Sequence, residues 1–103
     1  MYKLLFLMLA ATTAFADEPS PDRQRTLLDM LNHDCGACHG LTLKGGLGPA
    51  LLPGALAGKP DDLLISTILN GRPGTAMPPW QPFMSRDEAA WLAGILRNPK
   101  PRP

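Results

Sequence analysis

Apolar residues recur at helical spacing in three stretches of the chain, and nowhere do they alternate with polar ones long enough to make a strand. The first stretch covers residues 20–33. Leu27, Leu28 and Leu31 share one helical face with Met30 alongside, Ser20 suits an N-cap, and Pro21 suits the first helical position. The second covers residues 60–69, with Leu64, Ile65, Ile68 and Leu69 as its apolar face. Asp61 and Asp62 stand in its first turn, where negative charge favours the positive end of the helix dipole, and Asn70-Gly71 marks its stop. The third covers residues 86–97, with Trp91, Leu92, Ile95 and Leu96 as its buried face. Ser85 and Glu88 have capping-box spacing ahead of it, Asn98-Pro99 ends it, and Pro101 and Pro103 keep the tail extended. The pattern predicts an all-α fold with three main helices.

Between these helices the chain is rich in residues that end regular structure. Gly45, Gly46, Gly48, Pro49, Pro53, Gly54 and Gly58 crowd residues 43–58, and Gly71, Pro73, Gly74, Pro78, Pro79 and Pro82 crowd residues 71–82. Long irregular loops are unusual in so small a chain unless they serve a purpose. They make sense if they wrap a large apolar object.

The N-terminus changes the size of the problem. Lys3 supplies a short positive region, residues 4–11 are almost wholly apolar, and Ala14-Phe15-Ala16 has the small-x-small form of a cleavage site. This predicts a secretory leader over residues 1–16, since its apolar run falls short of the roughly 20 residues that span a bilayer. Cleavage after Ala16 would leave one 87-residue domain, residues 17–103, without a membrane anchor and outside the cytoplasm, in the periplasm of a Gram-negative source. A hydrophobic core alone barely stabilises a domain of that size. Loss of Lys3 leaves nine Lys and Arg against nine Asp and Glu, a net charge of zero. Nucleic-acid binding, which calls for a clustered basic excess, is excluded.

The chemistry sits in Cys35-Gly36-Ala37-Cys38-His39, the C-x-x-C-H pattern of covalent haem attachment. Two thiols at this spacing add across the two vinyl groups of haem when the segment is helical, and the next residue presents an imidazole to the iron. Gly36 and Ala37 are small enough for the backbone to lie close to the porphyrin edge. A thioredoxin-like redox pair would need strands and a βαβ pattern that this chain lacks. Half of a zinc site would need a second ligand pair, and the only other histidine is His33. A plain disulfide would leave His39 unexplained.

A methionine thioether is the usual second axial ligand in electron-transfer haem proteins, and it raises the reduction potential. Met77, stiffened by Pro78 and Pro79, is the leading candidate. Met84 is the alternative, although its place beside Phe83 just before the third helix also suits a core role. His33 lies too near Cys35 in sequence to reach the other haem face, and Met30 suits the core. An enzyme would need an open or displaceable sixth position with a nearby acid or base, and no second histidine lies near Met77.

The segment from Cys35 to His39 and the Met77-Pro78 pair, with one helix before and one after, resemble the class I cytochrome c family over essentially the whole chain after the leader. The resemblance implies three helices and Gly/Pro-rich loops wrapping one covalent haem c. It implies crossed first and last helices, so that Leu27, Leu28 and Leu31 meet Trp91, Leu92 and Ile95. The glycine often found at that crossing is missing. It further implies that a backbone carbonyl of Gly48-Pro49 accepts a hydrogen bond from the His39 ring. More specifically, residues 34–41, 45–51 and 71–80 are similar to those of the small cytochromes c55X, which are encoded beside the cytochrome cd-type nitrite reductase of denitrifying bacteria.

That resemblance implies one of two roles, neither of them catalytic. One is single-electron transfer to the cytochrome cd-type nitrite reductase or to other periplasmic redox proteins. The other is assistance to the proteins that mature the d-type haem of that reductase. Arg72 is a candidate neighbour of a haem propionate, with an exposed surface position as the alternative. Trp80 is a candidate to pack on the haem, with ordinary core as the alternative. Zero net charge predicts weak long-range steering of partners.

Overall fold

A computed structural model of the chain describes residues 18–99; the expected leader at residues 1–16 lies outside the described residues. Helix α1 spans Pro21–Met30. Ser20 caps it by accepting the Arg23 amide at 3.2 Å, and Pro21 opens it. The helical path does not stop at residue 33, as the pattern of leucines suggests. It widens into a π turn over Leu31–Cys35, in which the Gly36 amide reaches back five residues to the Leu31 carbonyl, and tightens again into α2, Gly36–His39. No stop signal precedes Gly40, whose φ of 91° ends the run. A second departure lies in the Gly/Pro-rich middle, where α3, Pro53–Leu56, forms one turn. Proline at its first position and the buried Leu56 account for it.

Helix α4 spans Asp61–Asn70 and helix α5 spans Arg86–Arg97. The capping box of α5 is complete: the Glu88 amide donates to Ser85 Oγ at 3.1 Å and the Ser85 amide to Glu88 Oε1 at 2.9 Å. Among the described residues there is no strand, and no helix is long and apolar enough to cross a membrane.

The core gathers where α5 packs on α1 and α4. Leu27, Leu31 and Leu92 are fully buried, joined by Ile65, Met84, Ala89, Ala93 and Leu96. The buried face of α5 is therefore Ala89, Leu92, Ala93 and Leu96, while Trp91 and Ile95 are only partly buried at its edge. The expected face was rotated because alanine carries little hydrophobic signal. Its small side chain lets α5 lie close against its neighbours.

Two arginines tie the elements together across the core. Arg23 on α1 pairs with Glu88 on α5, Nε to Oε2 at 2.5 Å, and donates to the Phe83 carbonyl at 2.6 Å. Arg97 at the end of α5 pairs with Asp61 at 2.6 Å and donates to the carbonyls of Leu56 and Lys59. The Arg97 contacts bind the 56–61 segment to α5.

Candidate cofactor site

The π turn and α2 deliver Cys35, Cys38 and His39 from one continuous helical segment. The two cysteines are not bonded to each other. Burial, and then the neighbouring Asp34 carboxylate, push the Cys35 thiol up to about 11. The imidazole of His39 is buried. Its Nδ1 donates to the Pro49 carbonyl at 2.7 Å. A carbonyl can only accept, so Nδ1 carries the proton and Nε2 keeps its lone pair for a metal.

The loop that supplies this carbonyl is held against the end of α2. The Gly48 amide donates to the Cys38 carbonyl at 2.7 Å and the Gly45 amide to the His39 carbonyl at 2.8 Å, capping groups that the helix end leaves unpaired. Gly48 lies so close to the His39 ring that a Cβ there would stand 2.9 Å from both Cε1 and Nδ1. Leu43 takes a left-handed conformation, φ 60°, to complete the turn, and its carbonyl accepts the Leu51 amide at 2.9 Å.

The segment after α4 carries Met77. The Arg72 amide donates to the Met77 carbonyl at 3.2 Å, closing residues 72–77 into a loop. Gly71 backs this loop at φ 67°, and a Cβ on it would come within 2.6 Å of the Met77 carbonyl oxygen. The Trp80 and Gln81 amides donate to the Ile68 and Leu69 carbonyls, both at 3.1 Å, which returns the chain to α4.

One cavity of about 460 Å³ joins both segments. Cys35, Cys38, His39, Gly48, Pro49, Arg72, Met77 and Trp80, every site residue named from the sequence, line it. Its walls are mostly apolar, with Leu31, Leu56, Leu92 and Leu96 shared with the core. Met84 does not line it and is buried in the core instead. His33 is exposed and donates from Nδ1 to the Asp29 carbonyl at 2.9 Å. Lys59, Thr67 and Thr75 also line the cavity, and no periodicity or motif points to them.

The residues present fit a covalently held haem. Two thiols at C-x-x-C spacing line the cavity, one imidazole has its second nitrogen already committed to a carbonyl, and a thioether shares the same apolar space. Arg72 and Lys59 add positive charge suited to the two haem carboxylates, and among the described residues neither is in an ion pair, whereas Arg23, Arg25, Arg86 and Arg97 all are. Among the described residues no group of three or more His, Cys, Asp or Glu gathers to hold a bare metal ion.

Comparison with known proteins agrees with the geometry. Residues 22–94 match the family model described as cytochrome C oxidase, cbb3-type, subunit III. The chain is 54% identical to cytochrome c55X of Pseudomonas aeruginosa over 89% of this chain and 82% of that protein. Among solved structures, the c-type cytochrome NirC superposes with a TM-score of 0.75 at 54% identity, covering 77% of this chain and 93% of that one. Dihydro-heme d1 dehydrogenase NirN, in complex with DHE, superposes with a TM-score of 0.65 at 33% identity, covering 73% of this chain and 16% of that one.

Proposed function

The chain is a c-type cytochrome of the cytochrome c55X family, built on the domain that the cbb3-type subunit III model describes and carrying covalent haem c, and from that premise we propose that it is a periplasmic carrier of single electrons to a cytochrome cd-type nitrite reductase. The family is an electron-transfer family, and haem c, when bound, supplies the one-electron couple. The chain's own residues decide how that couple is held. Cys35 and Cys38 tether the group through their sulfurs. His39 offers Nε2 to the iron while the Pro49 carbonyl keeps the proton on Nδ1 and raises the basicity of the ring. Met77 offers its thioether from the closed loop of residues 72–77. His39 and Met77 together would hold the iron from the chain and would leave no ligand position for a substrate. The mostly apolar walls disfavour added positive charge, which would work with the thioether to raise the potential. Arg72 and Lys59 balance carboxylate charge at the cavity.

The observation that supports this reading most directly is the shared cavity. It brings a tautomer-fixed imidazole and a loop-held methionine together with both thiols. A second reading, service in maturation of d-type haem, is favoured by one finding: 73% of this chain superposes on 16% of a dihydro-heme d1 dehydrogenase. Stopped-flow mixing of the reduced protein with purified cytochrome cd-type nitrite reductase separates the two. The expected result is rapid oxidation that is sustained only when nitrite is present. No oxidation by an active reductase overturns the donor role and leaves the maturation role.

A further inference from the structure

One side chain braces the loop that carries Met77 from within. Thr75 Oγ1 donates to the Arg72 carbonyl at 2.7 Å, and the Thr75 amide donates to the same oxygen at 3.0 Å. The same hydroxyl accepts the Met77 amide at 3.3 Å. A hydroxyl has one proton to give and lone pairs to receive, so both capacities are in use within the loop. Pro78 and Pro79 have no N–H, which makes the Met77 amide the last backbone donor before Trp80. On the other side Arg72 holds the Met77 carbonyl, and Gly71 lies against it. Met77 is thus gripped at its N–H by Thr75 and at its C=O by Arg72. A methionine side chain has three rotatable bonds and a weakly donating sulfur. It competes for a metal only if its backbone is fixed.

We propose that the Thr75 hydroxyl is a positioning group for Met77, holding the methionine backbone so that its thioether stays in the cavity and outcompetes external ligands. The proposal rests on the reading of Met77 as an axial ligand. Thr75 itself touches no reacting atom. Thr26 supplies an internal control, because its hydroxyl also bonds a backbone carbonyl, that of Asp22 inside α1 at 3.3 Å, while the residue does not line the cavity.

The test compares haem-loaded wild type with Thr75→Val, Thr75→Ser, Thr26→Val and Met77→Ala. The readouts are the sulfur-to-iron charge-transfer band of the ferric protein and the rate of cyanide binding. Thr75→Val, which keeps the shape and removes the hydroxyl, is expected to lower the pH at which the band is lost. It should also speed cyanide binding about tenfold, the effect of losing one or two modest hydrogen bonds. Thr75→Ser is expected to restore both readouts, and Thr26→Val to leave both unchanged. Cyanide binding to Thr75→Val within twofold of wild type, or an equal effect of Thr26→Val, overturns the positioning role while the Met77 assignment stands. A wild-type protein without the band, spectrally unchanged by Met77→Ala, overturns both. If Thr75→Val takes up no haem, hydrogen exchange of the wild-type Met77 amide decides: protection supports the grip, and exchange at the free-peptide rate overturns it.

Discussion

A methyl group at position 48 would stand 2.9 Å from Cε1 and Nδ1 of His39, closer than non-bonded carbon approaches a ring. Either the imidazole or the loop must then move. The loop has little room, because the Gly48 amide is bonded to the Cys38 carbonyl and Pro49 follows at once. Gly48→Ala is therefore expected to push the ring off the Pro49 carbonyl. An imidazole without that acceptor is a weaker donor to iron and stabilises the ferric state less. The potential should rise by tens of millivolts, given that a tenfold change in a one-electron equilibrium is about 59 mV. Redox titration of the haem-loaded variant checks this. An unchanged potential would show that the loop, not the ring, gives way. The same crowding explains why the chain needs glycine here, a requirement that neither composition nor periodicity reveals. Cys35, Cys38 and His39 announce themselves by spacing. The partner of His39 came only through resemblance, and which of the two carbonyls it is depends on how residues 43–51 fold back.

Between elements, the bridge from Arg23 on α1 to Glu88 on α5 does two jobs, since Glu88 also completes the capping box. Hydrogen bonding from Arg23, and next the Ser85 amide, hold the Glu88 carboxyl below its usual range. A carboxyl whose value is depressed by folding stabilises the fold above its unfolded value, and that contribution is lost as pH falls through the folded value. Glu88→Gln keeps a capping side chain but removes the charge. It is expected to cost about 1 kcal/mol at neutral pH, the scale of a partly exposed ion pair. The cost should shrink as pH falls below about 4.3, the ordinary glutamate value. Denaturant unfolding of the haem-loaded proteins at several pH values checks this, and a cost independent of pH would assign the effect to packing. The cap itself was legible because Ser85 and Glu88 lie three residues apart in sequence. Arg23 was not legible as their partner, because nothing local links positions 23 and 88. The same limit hid the continuation from α1 through the π turn to α2. Asn32, His33, Asp34 and Gly36 are weak helix formers. They stay helical because Leu31 is buried below them and residues 45–48 cap the far end.

For the whole molecule, the important fact is that the core and the cavity share a wall. Leu31, Leu56, Leu92 and Leu96 are four of the nine buried apolar residues among those described, and all four line the cavity. Eight of the nine lie in helical segments and Met84 in the loop before α5; no α-helical segment exceeds 12 residues, and helices of that length are marginal in water without packing. The segments between them, residues 40–52 and 71–85, have few buried apolar side chains of their own and are held mainly by hydrogen bonds around Cys38, His39, Arg72 and Met77. A small domain with so little interior has a narrow margin between burial and chain entropy. A group that fills the cavity is thus structural as well as chemical, because it supplies the missing contacts to four core leucines and the loops together. The double variant Cys35→Ser, Cys38→Ser, made in a host that attaches haem, removes the tether while barely changing side-chain volume. It is expected to show no cooperative thermal transition by circular dichroism, whereas the haem-loaded wild type melts sharply. A sharp melt of the haem-free variant would mean that the protein side chains alone close the core, and that the loops owe their shape to their own hydrogen bonds rather than to what they enclose.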